Sequence, residues 1–188
     1  MKVLKQFTYL TWSHIFPIVL IGLVFCTLGC TRVPDTDTEP PTISLLISGP
    51  AVGRQEMTNP PRETWESPSG TQYLTLDNGS EYGFVLTVTD QGGVGRAILR
   101  LPPEFNITEL QPTSTVIGMV GVTRSLTLNG DRGAPTTGLV ITGRFSVPES
   151  SVTSSYTFNV NASDFGGSSG AINQRFMAVS VVTDVLPD

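Results

Sequence analysis

The 188 residues carry a net charge of −5, only 14% of the side chains are charged, and Gly, Ser, Thr and Val recur throughout. A mildly acidic chain of this kind is a poor partner for nucleic acid, and its composition points to an all-β globular protein. Lys2 and Lys5 are the only lysines, His14 the only histidine, and Cys26 and Cys30 the only cysteines. Beyond Cys30 there is therefore no base for a Ser-His-Asp triad, no lysine for a Ser-Lys dyad or Schiff base, and no thiol nucleophile.

Residues 1–14, MKVLKQFTYLTWSH, combine two lysines with no acid, and residues 15–29, IFPIVLIGLVFCTLG, form an unbroken apolar run. A basic region followed by an apolar core of this length reads as a secretory signal. The run is short for a membrane span, so an uncleaved N-terminal anchor is the alternative. The two cysteines are spaced C-x-x-x-C. No further Cys, and no His outside the signal, completes a zinc site; the spacing is not the redox C-x-x-C; and a disulfide inside an apolar run has no structural task.

The stretch Thr27-Leu28-Gly29-Cys30 resembles the lipobox of bacterial lipoproteins, in which a small residue precedes a cysteine at the end of the apolar core. Thr27 stands where that family usually has Leu or Val. The resemblance implies that residues 1–29 are a lipoprotein signal peptide and that Cys30 is the lipid attachment site, palmitate among its acyl chains, while Cys26 is a passive residue of the apolar core. It also implies a bacterial envelope protein, lipid-anchored, and the absence of Asp after the cysteine favours the outer membrane over the inner. Several acyl chains together give stable anchoring where one does not. Residues 30–40 then read as the lipidated cysteine and an acidic Pro/Thr tether, a composition that cannot bury a core. Extended, about ten residues reach roughly 35 Å. The tether is a spacer, or its Asp35, Asp37 and Glu39 help to hold a cation.

From residue 41 to 188 the chain alternates apolar and polar side chains between turn signals. TISLLIS (42–48) aligns Ile43, Leu45 and Ile47; YGFVLTVT (82–89) aligns Tyr82, Phe84, Leu86 and Val88; VGRAILRL (94–101) sets Ala97, Leu99 and Leu101 against Arg96 and Arg100. GLVITGRFSV (138–147) aligns Leu139, Ile141 and Phe145; SYTFNVNA (155–162) aligns Tyr156, Phe158 and Val160; RFMAVSVV (175–182) closes the series, and 71–76, 114–120 and 123–128 are fainter strands. Period-2 alternation is the mark of strands with one buried face. Asn78-Gly79, Gly92-Gly93, Asn129-Gly130 and Gly166-Gly167 supply turns that tolerate positive φ, and Asn78-Gly79 reads as a hairpin.

PPTISLLISGP, EYGFVLTVTDQGGVGRAILRL, SYTFNVNASDFGG and RFMAVSVV together resemble the A, B–C, F and G strands of a bacterial immunoglobulin-like domain. The resemblance implies an immunoglobulin-like antiparallel β-sandwich of about 7–9 strands over 41–188, without the cysteine pair and core Trp of antibody domains. Residues 102–137 exceed a minimal connection, which predicts extra strands or a decorated edge.

Two loops share a pattern, Thr89-Asp90-Gln91-Gly92-Gly93 and Ser163-Asp164-Phe165-Gly166-Gly167. In an immunoglobulin-like sandwich the B–C and F–G loops lie at one end beside the start of strand A, so the resemblance brings Asp90, Asp164 and the acidic tether together. Clustered oxygens suit calcium; Asp and Gly also simply make turns after strands. Asp77–Glu81 has a similar dual reading. Trp65, in PPRETWESPSG, is a candidate binding residue for a sugar ring or a partner, or a lid on the core. Arg96 and Arg100 contact a partner or keep one face soluble. The sequence thus predicts a non-enzymatic envelope module that binds or scaffolds an envelope protein or glycan and needs no cofactor, with calcium at Asp90 and Asp164 as the one candidate ion. The alternatives are a calcium-dependent or carbohydrate-binding adhesive module and, more remotely, a carboxylate-based hydrolase.

Overall fold

The computed structural model describes residues 37–59, 72–166 and 172–185, all within the compact unit Val33–Asp188. The signal segment, Cys30, Asp35 and Trp65 lie outside the described residues.

Eleven strands follow in order: β1 (Thr42–Gly49), β2 (Gly53–Asn59), β3 (Gln72–Asp77), β4 (Glu81–Thr89), β5 (Val94–Leu101), β6 (Asn106–Gln111), β7 (Val116–Val120), β8 (Thr123–Asn129), β9 (Gly138–Ser146), β10 (Ser154–Asp164) and β11 (Gln174–Asp184). They form two sheets, ordered β2-β1-β4-β9-β6 and β3-β11-β10-β5-β8-β7. In the first, β1, β4 and β9 hold the positions of strands A, B and E; in the second, β11, β10 and β5 hold those of G, F and C. This is the partition of an immunoglobulin-like sandwich.

The alternating residues pack where their period places them. Ile43, Leu45 and Ile47 of β1, Tyr82, Phe84, Leu86 and Val88 of β4, and Ala97, Leu99 and Leu101 of β5 are all buried. Phe158 and Val160 of β10 and Met177, Val179 and Val181 of β11 close the core from the other sheet. At its centre the Phe145 ring lies 5.8 Å from Tyr82, 6.3 Å from Phe84, 5.6 Å from Phe105 and 5.6 Å from Phe158, the last edge-on. Edge-to-face pairs add to area burial.

Three expectations are corrected. The strands number eleven rather than seven to nine: β2 and β6 escape the alternation rule because they are edge strands with little to bury. Met57 is the one buried residue of β2, and β6 has none. One pairing is parallel, β3 beside β11 with Leu74 opposite Val181, whereas every other pairing among the described residues is antiparallel as expected. Asn78-Gly79 is not a hairpin. It carries the chain from the second sheet to the first, with Gly79 at φ +74°. The buried Asn78 side chain donates to Ser150 O and Val152 O at 3.0 and 3.2 Å, and its backbone N–H to Asp184 O at 2.8 Å. Those bonds weld the corner to β11 and to the chain entering β10, in place of a two-strand turn. The long segment after β5 does supply extra strands, β6 to β8.

Phe145 borders rings from both sheets, so the space it leaves cannot collapse from one side. Phe145→Ala should cost about 3–5 kcal/mol in denaturant unfolding, and Phe145→Leu markedly less. A loss under about 1 kcal/mol for the alanine variant would show that the rings repack and that the cluster does not set the core.

Candidate functional site

β4 ends at Thr89 and β5 starts at Val94, leaving Asp90–Gly93 to cross between the sheets. Asp90 Oδ1 accepts the Gly92 N–H at 2.7 Å, a side-chain turn of the kind Asp favours. The Asp90 N–H donates to Thr137 O at 3.0 Å and pins the loop to the chain entering β9. Gly92 is required by what lies on it. A Cβ there would stand 1.9 Å from Asp37 Oδ2, so the tether carboxylate occupies the room that any side chain would take.

β10 runs to Asp164, where its register with β5 shifts. Asp164 is 2% exposed. Its Oδ1 accepts N–H groups of Gly166 at 2.9 Å and Asn173 at 2.8 Å, and its Oδ2 accepts Asn173 Nδ2 at 2.5 Å. The same Asn173 amide donates to Asp37 O at 3.0 Å, and Arg175 Nη2 to Pro40 O at 3.4 Å. Two side chains from the strand β11 and its approach thus hold the backbone of residues 37–40 across the end of the sandwich.

Carboxylate oxygens of Asp37, Asp90 and Asp164 all lie within 4.8 Å of one another. Asp37 Oδ1 accepts the Glu39 N–H at 3.2 Å, while its Oδ2 is buried and accepts no hydrogen bond. Beside them opens a cleft of about 800 Å³ lined by Thr38, Glu39, Thr89, Gln91 and Thr137 among others. Burial lifts the Asp90 carboxyl from 3.8 to about 6. The Gly92 N–H opposes the rise, and the neighbouring carboxylates of Asp37 and Asp164 reinforce it.

Asp90 and Asp164, singled out in sequence, therefore meet, and Asp37 of the tether joins them. Glu39 lines the cleft without entering the triad. The Asp77–Glu81 loop forms no such group: Glu81 pairs with Arg144 at 3.0 Å, and Asn78 is spent on the corner. Arg96 and Arg100 share the outer side of β5, Arg96 donating to Asn129 Oδ1 at 3.1 Å. Asn173 and Arg175 were not visible as site residues. Neither sits in a motif, and only the pairing of β10 with β11 brings them to the tether.

No protein-family model and no curated protein matches the sequence. Among solved structures, the chain is similar to a non-cellulosomal cohesin from the hyperthermophilic archaeon Archaeoglobus fulgidus, at 15% identity and TM-score 0.37 over 62% of this chain and 88% of that one. It is similar to BcpA, the major pilin subunit of Bacillus cereus, at 12% identity and TM-score 0.44 over 77% of this chain and 41% of that one, so it spans less than half of the pilin. It is also similar to the GspB Siglec domain, at 13% identity and TM-score 0.33 over 81% of this chain and 61% of that one. Likenesses this loose carry nothing about ligand or partner.

A carboxyl whose folded pKa lies above its unfolded value holds its proton more tightly when folded. The stability that Asp90 contributes in this way is complete below about pH 4 and is lost as the pH rises through 6. The group is partly solvated, and solvent screening limits this contribution to about 1 kcal/mol, a fall of about 2–4 °C in Tm for a chain of this size. In calcium-free buffer Asp90→Asn should remove that fall between pH 4 and 6 and melt higher than wild type at pH 7. An unchanged pH slope in the Asn variant would assign it to another group.

Proposed function

We propose that this chain is a lipid-anchored, non-enzymatic binding module of the bacterial envelope, attached through Cys30, whose tether is fastened to one end of an immunoglobulin-like sandwich by calcium. The observation that carries this reading is Asp37. Only seven residues beyond Cys30, it brings a buried carboxylate oxygen without a hydrogen-bond partner to two further carboxylates, one from the loop after β4 and one from the end of β10.

That unpartnered oxygen is also the test of fit. The donors are all oxygens, with no imidazole or thiolate in the chain beyond Cys30, which suits a hard cation such as Ca²⁺ over zinc. Asp37, Asp90 and Asp164 would hold it, and its charge would offset their mutual repulsion. Calcium takes six to eight oxygens, so carbonyls or water complete the shell.

The non-enzymatic reading rests on the side chains that the tether and sandwich lack, histidine, lysine and cysteine beyond Cys30. The partner is an envelope protein or a glycan, taken at the end loops or at a sheet edge. The polar cleft beside the carboxylates supports a second reading, a calcium-dependent carbohydrate-binding adhesive module. Glycan capture that requires calcium separates it from the first.

Metabolic labelling with palmitate in a bacterial host should mark the full-length protein and not Cys30→Ser. Label retained in Cys30→Ser would end the anchoring reading. Independently, millimolar calcium should raise the Tm of the wild-type protein by several degrees, about 1–2 kcal/mol for a site of extracellular affinity. Asp37→Asn, which leaves the sandwich untouched, should abolish the rise. A wild-type Tm indifferent to calcium removes the metal and leaves the anchor standing.

A further inference from the structure

Each open sheet has two edges, and an unprotected edge strand pairs with whatever strand it meets. Three of the four edges here are guarded. β2 carries Arg54 and Glu56. β6 carries Glu109 at φ 53°, where its register with β9 shifts, and Pro112 follows its end. β3 is covered by side chains of β2: Gln55 Nε2 donates to Tyr73 O at 2.9 Å, and Gln72 Nε2 of β3 donates back to Thr58 O at 2.9 Å.

β7 has none of these devices. Its sequence is Val-Ile-Gly-Met-Val, without a charge, a proline or a bulge, and among the described residues it pairs on one side only, with β8. Both of its faces are apolar and open. Val116 is 58% exposed, Ile117 54%, Met119 59% and Val120 51%, and Val122 in the following turn is 80% exposed. Ile117 lies opposite the buried Leu126, so Ile117 and Met119 extend the core-side face of the sheet beyond its last covered strand, while Val116 and Val120 lie on the outer face.

We infer that β7 is a self-association edge, at which a second copy of this chain adds its own β7 antiparallel about a two-fold axis through Gly118. The strand specifies this partner because its apolar pattern is symmetric about that glycine. Antiparallel pairing sets Gly118 opposite Gly118, Ile117 opposite Met119 on one face, and Val116 opposite Val120 on the other. A two-fold interface must present one patch that complements itself, and five residues without charge do so with no like-charge contact. Among the described residues nothing lies within 4 Å of a Cβ built on Gly118, which shares the outer face with Val116 and Val120, so a side chain placed there meets no neighbour. The five exposed side chains offer on the order of 500 Å² per copy, about 1,000 Å² for the pair, the lower bound for a specific interface. The association is therefore weak and concentration-dependent, and continues the second sheet across both copies. It stands whether or not Cys30 carries lipid and whether or not calcium binds.

The test is oxidative crosslinking of full-length protein in detergent, in a Cys26→Ser/Cys30→Ser background that keeps lipidation out of the result. In the proposed register the two copies of residue 118 face each other at about 4.5–5.5 Å between Cα atoms, within disulfide reach. Gly118→Cys should give a disulfide dimer at least tenfold faster than Gly133→Cys, an exposed loop control. Adding Met119→Lys should return the rate to that of the control. Because residues 118 and 119 are poorly packed, both substitutions leave the fold intact, which an unchanged Tm verifies. The inference is overturned if Gly118→Cys crosslinks no faster than the control, if Met119→Lys leaves the rate unchanged, or if in cells the thiol of the Gly118→Cys variant captures a different protein and not its own copy.

Discussion

The closure of two apolar faces around Phe145 is the constraint from which the remaining geometry follows. A single sheet with one greasy face is not stable in water, and two such sheets pack about 10 Å apart. Phe145 fixes that packing because its ring meets Tyr82 and Phe84 on its own sheet and Phe158 on the facing one, with Phe105 completing the cluster from the loop before β6. Once the sheets are locked face to face, every connection between them must cross at an end. Two of these crossings are short and their anchors explicit: Asn78 is tied to β11 and the approach to β10 at one, and Asp90 to Thr137 at the other.

That locking is what places three acids within reach of one another. β4 and β10 belong to opposite sheets, so Asp90 and Asp164 could meet only at an end of the sandwich. The fold compensates the three carboxylates unequally. Among the described residues Asp164, the most buried, accepts three N–H groups, whereas Asp90 and Asp37 each accept one. Buried charge is tolerated in proportion to its hydrogen bonds, so the unmet demand falls on Asp90, whose carboxyl rises, and on Asp37, whose second oxygen has no partner. The deficit lies where residues 37–40 meet the end of the sandwich, away from the core around Phe145.

The strands that bury a full face were legible as sequence, because period-2 alternation is a direct record of burial. β1, β4, β5, β10 and β11 all read this way. What was not legible is everything decided by a neighbour. β2 and β6 carry edge sequences that alternate little, since an edge strand has less to bury. Asn78-Gly79 satisfies the local chemistry of a hairpin and yet makes a corner, because the choice depends on Ser150 and Val152, 72 and 74 residues away. The pairing of Asp90 with Asp164 followed from a resemblance in fold rather than from spacing. Asn173 and Arg175 carry no local signal, since their role arises only where β11 passes the tether.

The same period-2 logic that builds the core leaves each sheet with open edges, and the four edges are treated differently. Side chains of β2 reach the backbone of β3, so an edge of one sheet shields an edge of the other. A chain that needed only solubility would guard β7 likewise, because one lysine suffices to discourage strand addition. Its five residues instead keep both faces apolar, at the lateral margin of the second sheet. The carboxylates, by contrast, lie at the strand ends, where β4 and β10 finish and β5 begins. Strand ends and lateral edges are geometrically independent surfaces of a sandwich, so the contacts of residues 37–40 at one leave the other free.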